Sequence, residues 1–268
     1  MELIPKAAVI KKVINESNDV KSFLLELDEG KPFSALLGQF VEITVQGIGE
    51  STFAISRQKK GATQFIVSVK KMGHLTKMLH RLTAGEFVGV RGPYGNSFPL
   101  EEWYSKKLLI IGGGIGLAPL RPVIDQILLE KDKFAGLEIV FGARSPLDIL
   151  FKEDLKLWES DPYARLHTTI DIPYEGWHGK VGFIPSLVKD LALKPDNSIA
   201  VICGPPIMIR LTVEALKAMN WKAEQIFTTL EMKMQCGIGQ CGRCNIGGKL
   251  ICKDGPVFRI DQIPYGVI

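Results

Sequence analysis

The sequence predicts a multi-domain chain: an antiparallel β-barrel over residues 1–100, an α/β parallel-sheet unit over 101–226, and a small cysteine-bearing domain over 227–268. Three observations carry this. Short strand-like runs broken by turn residues fill the first hundred positions, buried strands alternate with helices after Glu101, and four of the five cysteines fall between Cys236 and Cys252. A hydrophobic content of 46% and a charged content of 23% belong to an ordinary globular protein. The net charge of +4 is dispersed, with no basic stripe to suggest nucleic acid, and no apolar run is long enough to insert in a membrane.

The barrel strands are expected at Ala7–Asn15, Lys21–Leu27, Gln39–Gln46, Thr52–Ser56, Gln64–Lys70 and Glu86–Arg91. The alternation in Phe40-Val41-Glu42-Ile43-Thr44-Val45 suits a half-buried strand. Leu75, Met78, Leu79 and Leu82 recur at helical spacing, and Gly73-His74-Leu75-Thr76 opens that helix. Thr76 and the amides beside it could bind an anion or simply cap the helix. Gly92-Pro93-Tyr94-Gly95-Asn96 is expected as a turn.

In the second part, Lys107–Ile111 is a continuous apolar strand entering a glycine turn and then a helix through Ile127. Further strands are expected at Leu137–Phe141, Leu166–Ile170 and Ser198–Cys203, with helices near Glu153–Trp158 and over Ile207–Met219. Strands alternating with helices imply a parallel sheet covered on both faces. From about Phe227 little regular structure is expected.

Gly112-Gly113-Gly114-Ile115-Gly116-Leu117-Ala118-Pro119 joins the first strand to its helix. Glycines there allow a pyrophosphate close to the backbone, at the strand end where open α/β sheets bind ligands. The stretch does not follow G-x-G-x-x-G, so the ordinary Rossmann fingerprint is absent. Cys203-Gly204-Pro205-Pro206 is expected at the same sheet edge; Cys203 is either a small buried apolar group or a functional one.

Cys236, Cys241, Cys244 and Cys252 are spaced C-x4-C-x2-C-x7-C. The opening C-x4-C-x2-C is plant-type [2Fe–2S] spacing. Structural zinc and two disulfides are the alternatives. Zinc ribbons favour C-x2-C pairs, and the opening MELIPKAAVI lacks a basic-then-apolar signal peptide, so a reducing cytoplasm is expected. Gly237, Gly239 and Gly242 interleave with the cysteines and suit a loop that curls tightly and points amides at sulfur.

Taken together, these motifs resemble the ferredoxin–NADP reductase superfamily. The specific branch is that of electron-transfer subunits with a C-terminal [2Fe–2S] domain: the gamma subunit of NAD(P)-linked hydrogenases (sulfhydrogenases), the electron-transfer subunit of anaerobic sulfite reductase and, more distantly, that of dihydroorotate dehydrogenase B. The resemblance covers nearly the whole chain and is most specific in Arg91–Asn96, Ile202–Met208, Leu230–Gly239 and Lys253–Phe258. It implies FAD, a [2Fe–2S] cluster on the four cysteines, and NAD(H) or NADP(H) as substrate. Phe53, Ala54, Ile55 and Ser56 match the flavin strand, although Ser51 and Ala54 replace the usual arginine and serine. Ser68, Val69 and Lys70, with Gly73, Leu75 and Thr76, match the segment holding the FAD pyrophosphate. Gly113, Gly114, Gly116, Ala118 and Pro119 match the nucleotide loop, and Cys203, Gly204 and Pro205 the strand end beside the nicotinamide. Arg144 and Asp171 are expected at the ribose, where Asp171 favours NAD(H) and Arg144 a 2′-phosphate; a solvated loop pair is the alternative.

The resemblance implies a route between NAD(P)H and a catalytic metal-bearing subunit of a hydrogenase- or sulfite-reductase-type complex, with ferredoxin as a further acceptor. A flavin bridges the mismatch between hydride donor and one-electron cluster. The competing readings are a stand-alone ferredoxin reductase and a zinc-stabilised interaction protein.

Overall fold

The computed structural model describes residues 3–28, 30, 32–59 and 61–263. The described residues form two compact units: those up to Phe98 with Leu230–Val257, and Pro99–Thr229 with residues 258–263.

In the first unit, β1 (Lys6–Asn15), β2 (Val20–Leu27), β3 (Phe40–Val45), β4 (Gly49–Gln58), β5 (Gln64–Lys70) and β6 (Phe87–Tyr94) close a barrel in the order β1-β2-β5-β4-β3-β6. Every neighbouring pair is antiparallel. The period of two sends Phe23, Leu25, Val41, Ile43, Phe65 and Val67 inward. Each such side chain contributes about 1.5–3 kcal/mol on leaving water. Helix α1 (His74–Leu79) lays Leu75, Met78 and Leu79 on that core, and Leu82 joins them just beyond the helix.

Two expectations for the barrel are corrected. Strand β3 is not half-buried: its outward-facing Glu42 is only 1% exposed, because the cysteine segment covers that part of the wall through Arg91. Gly92-Pro93-Tyr94 is strand, not turn. β6 runs on to Tyr94 opposite Phe40, and the register shift between Phe40 and Glu42 absorbs the extra residue as a bulge.

The second unit is built on β7 (Lys107–Gly113), α2 (Arg121–Leu129), β8 (Gly136–Ala143), α3 (Lys152–Ser160), β9 (Ala164–Ile170), β10 (Lys180–Val181), α4 (Ile184–Leu191), β11 (Ser198–Cys203), α5 (Pro206–Ala218) and β12 (Ile226–Thr229). After the short β13 (Asn245–Ile246), β14 (Lys249–Leu250) and α6 (Ile251–Asp254), β15 (Val257–Arg259) returns to the sheet, whose order is β10-β9-β8-β7-β11-β12-β15. The pairs from β10 to β12 are parallel. Strand order reverses between β7 and β11, the place where doubly wound sheets open a crevice.

The helix expected directly after the glycine turn begins later. Gly114–Leu120 is a 3₁₀ stretch with Pro119 inside it, and the α-helix starts at Arg121 with Pro122 in its first turn. Pro119 carries no amide hydrogen and so interrupts regular α-helical bonding there, and the 3₁₀ stretch buries Leu117 and Leu120. β12, too, is regular structure in a stretch expected to have little.

Candidate cofactor-binding sites

Cys203 ends β11 directly opposite Gly112 of β7, so the two loops expected at one sheet edge do meet there. The approach is so close that a Cβ on Gly116 would lie 2.4 Å from the Cys203 carbonyl oxygen and 2.6 Å from the Gly204 Cα. Gly113 and Gly204 both pack against Met208: a Cβ on Gly113 would meet its sulfur at 2.3 Å, and one on Gly204 its methyl at 2.6 Å and its sulfur at 2.9 Å. Gly114, by contrast, has φ +54° and faces open space. Ala118 and Pro119 are buried beneath the loop. This is a backbone surface with no side chain in the way on its open side, as a pyrophosphate requires. The Cys203 thiol is buried and accepts a hydrogen bond from the Thr229 hydroxyl at 2.8 Å, which fixes where its sulfur lies.

Arg144 and Asp171 also come together, at the ends of β8 and β9. The Asp171 amide donates to the Ala143 carbonyl at 3.0 Å. Burial raises the Asp171 carboxyl above its ordinary range; Arg144 opposes this and Asp148 adds to it. The Arg144 side chain is 81% exposed, with its Nε 4.0 Å from Asp148. Asp148 is a second carboxylate here that the sequence did not single out.

On the barrel, Phe53 packs part-buried against the core from β4. Ser56 and Ser68 point at each other with their hydroxyls 2.9 Å apart. Ser68 is 2.8 Å from Ser22, which donates to Glu16 at 2.7 Å. The two hydroxyls expected beside the flavin are thus held by the barrel wall, and the Ile55 amide donates to the Gln39 carbonyl at 3.2 Å. Ile55 and Val69 are core residues, and the Lys70 ammonium lies 3.5 Å from Asp19. Thr76 accepts from the amides of Met72 and Gly73 at 2.9 Å each, so its hydroxyl is a cap. Gly73, at the N-cap of the helix that contains Leu75, has no side chain to accept the first-turn amides, and that vacancy suits an external anion.

The four cysteines lie as two pairs. The amides of Gln240 and Cys241 point at the Cys236 sulfur at 3.3 and 3.4 Å, and the Cys241 thiol also donates to it. The sulfurs of Cys244 and Cys252 are 3.4 Å apart, with the Gly239 amide 3.1 Å from Cys252. Gly237, Gly239 and Gly242 have φ of 73°, 79° and 70°, the left-handed region that lets the loop turn its amides inward. Burial would raise the Cys236 thiol, but the amide donors outweigh it and hold it down at about 6. Burial and the Cys244 thiol push Cys252 up to about 12, so a cation must displace that proton. Among the described residues no three His, Cys, Asp or Glu side chains converge as for a single ion. Two thiol pairs with amides aimed at sulfur fit an iron–sulfur group.

Residues outside the expected set hold this loop. Arg91 donates to the carbonyls of Cys236 and Gln235, Tyr94 packs against Gly237, and the Asn96 side chain makes three hydrogen bonds with Asp254 and Val257. A charged residue inside an apolar strand (Glu42) and an arginine just before Gly-Pro were the available sequence signals.

A flavin-type barrel, a parallel sheet with a nucleotide loop at its switch point, and paired thiols define a class: the FAD- and NAD-binding oxidoreductases that carry an iron–sulfur domain. Family profiles agree. The oxidoreductase FAD-binding domain matches residues 7–98, the oxidoreductase NAD-binding domain 110–214, and the iron–sulfur cluster binding domain of dihydroorotate dehydrogenase B 231–264. The chain is 36% identical to sulfhydrogenase 1 subunit gamma of Pyrococcus furiosus, over 95% of this chain and 90% of that one. It is 32% identical to a probable dihydroorotate dehydrogenase B (NAD(+)) electron transfer subunit of Methanocaldococcus jannaschii, over 97% and 92%. The solved structure of an NADH-dependent reduced ferredoxin–NADP oxidoreductase superposes with a TM-score of 0.78 at 25% identity, covering 96% of this chain and 89% of that one. The chain belongs to the family of sulfhydrogenase gamma and dihydroorotate dehydrogenase B electron-transfer subunits, within the ferredoxin–NADP reductase superfamily. No helix among the described residues is long and apolar enough to cross a membrane.

Proposed function

We propose that this chain passes electrons between NAD(P)H and a partner catalytic subunit through FAD and a [2Fe–2S] cluster, in a hydrogenase-type complex. When bound, the flavin accepts a hydride and gives up electrons singly, and the cluster carries one electron at a time. The chain's own residues bind and orient. Gly113, Gly114 and Gly116 present the backbone to the dinucleotide pyrophosphate, and Cys203, held by Thr229, borders the nicotinamide site together with Gly204 and Pro205. Backbone groups of Ala54–Ser56 meet the flavin edge beside Phe53, and the start of α1 at Gly73 takes its pyrophosphate. Cys236, Cys241, Cys244 and Cys252 would hold the cluster, Cys236 beside Cys241 and Cys244 beside Cys252. Asp171, with Asp148 beside it, accepts a ribose hydroxyl and repels a 2′-phosphate, which favours NAD(H) over NADP(H). Transfer among these groups requires no side-chain acid or base, so placement does the work. A reducing cytoplasm suits a loop of four reduced thiols.

The observation that carries this reading is the pairing of the four thiols, with three amides directed at their sulfurs. The test is metal and cofactor analysis of anaerobically purified protein. Two irons, two labile sulfides and one FAD per chain are expected; four irons, stoichiometric zinc or released FMN contradicts it. Co-purification from the native host should bring down a metal-bearing subunit, and recovery of this chain alone would favour a stand-alone reductase.

A further inference from the structure

Arg91 is the most heavily bonded side chain near the cysteines, and its own side chain is only 4% exposed. Its Nε donates to Glu50 Oε1 at 2.8 Å and its Nη2 to Glu50 Oε2, a bidentate pair between β6 and β4. The remaining donors leave the barrel. Nη1 reaches the Cys236 carbonyl at 2.9 Å and Nη2 the Gln235 carbonyl at 3.0 Å, while Nη1 also lies 3.4 Å from the Tyr94 hydroxyl. Glu50 accepts from the Thr44 hydroxyl at 2.8 Å as well, so the carboxylate is fixed from two sides. A cavity of about 430 Å³, lined in part by Leu3, Thr44, Glu50, Gln235 and Cys236, opens beside the guanidinium.

Two carbonyls could be held by any neutral donor. A guanidinium here adds a positive charge, 4% exposed and partly offset by the Glu50 carboxylate, one peptide from a cysteine of the loop. Charge near an iron–sulfur group is one of the levers on its reduction potential, and the lever is stronger away from solvent. A cation stabilises the extra negative charge of the reduced state, and an anion opposes it.

We propose that Arg91 is a positioning residue that sets the reduction potential of the iron–sulfur group: its guanidinium fixes the Cys236 peptide and supplies a buried positive charge, with Glu50 as the counter-charge. This rests on the reading of Cys236 as an iron ligand. Iron and sulfide are therefore counted first, and wild-type protein without iron would fail that reading before Arg91 is tested.

The experiment is a one-electron potentiometric titration of the cluster in anaerobic full-length protein, for wild type, Arg91→Met, Arg91→Lys and Glu50→Gln. Arg91→Met should favour the oxidised state by about tenfold, a fall of about 59 mV for one electron. Glu50→Gln should shift the equilibrium the opposite way by a similar factor, and Arg91→Lys should stay near wild type because it keeps the charge. A purely structural role would lower iron content or melting temperature in all three variants without opposite signs. If Arg91→Met fails to assemble a cluster, Glu50→Gln still decides. An unshifted or downward-shifted potential in that variant overturns the proposal, as do same-direction shifts in Arg91→Met and Glu50→Gln.

Discussion

Replacing Gly116 with alanine should uncouple the nucleotide from the rest of the protein. The new methyl would sit 2.4 Å from the Cys203 carbonyl oxygen and 2.6 Å from the Gly204 Cα, both backbone atoms with no rotamer to escape into. Ordinary contact needs about 1 Å more, so the nucleotide loop or the end of β11 must move by that amount, at an overpacking cost of about 1–3 kcal/mol. A displacement of about 1 Å between groups that position a reacting ring costs on the order of 100-fold in rate. The expected result is flavin reduction by NADH slowed about 100-fold, with FAD content unchanged because the barrel is another unit. Anaerobic stopped-flow at the flavin band measures it. Gly114→Ala is the companion: its methyl enters open space where the pyrophosphate would lie, and the φ of +54° adds backbone strain at the loop, so KM should rise more than kcat falls. A Gly116→Ala protein reducing its flavin within twofold of wild type would refute the assignment of this edge to the nicotinamide.

Glu42 gives a pH prediction. Burial raises its carboxyl to about 7, with the Thr52 hydroxyl opposing, the Glu50 carboxylate adding and Arg91 opposing. The folded state then holds the proton more tightly than the unfolded one, so stability is greatest below the ordinary carboxylate pKa and falls as pH rises through about 7, by about 3 kcal/mol in all. Glu42→Gln should flatten the melting temperature between pH 5 and 8 and raise it at pH 8; an unchanged slope would count against burial of the charge. Asn96→Ala removes three hydrogen bonds to Asp254 and Val257, worth about 1 kcal/mol each. It should hasten iron loss to a chelator while FAD stays bound, and simultaneous loss of both would argue against a local effect. Wild-type kcat/KM in dye reduction should favour NADH over NADPH, and Asp171→Ser should move the ratio toward NADPH by about tenfold, or about 1.4 kcal/mol. A tenfold wild-type preference for NADPH would remove Asp171 from the ribose.

Much of this architecture was legible because local pattern and tertiary role coincide. The barrel strands alternate, the β7 and β11 runs are continuously apolar, and glycines fall where strands end. What escaped had weak local pattern or depended on distant cover. β10 is two residues long, and α4 announces itself only through Ile184, Leu187 and Val188, a single short face. Strand β12 carries two threonines that read as polar, yet Thr228 is fully buried and donates to the Ile202 carbonyl. Glu42 looked like the solvent side of a strand, and only the cysteine segment lying over that wall makes it interior. Ser56 and Ser68 were expected beside the flavin from the resemblance alone, and the hydroxyl chain joining them through Ser22 to Glu16 arises from strand order, which no single stretch of sequence encodes. The cysteine spacing was legible because loop chemistry is local.

The route of the chain between β12 and β15 bears on how the cysteine segment came to be there. It leaves the parallel sheet after Thr229 and comes back to the neighbouring edge position at Val257, so the metal-binding stretch is a detour between adjacent strands and not a tail. A detour of this kind can be shortened or exchanged as a cassette without disturbing the order of the sheet. It is also tethered at both ends, so a single proteolytic nick inside it would leave neither half free to diffuse away.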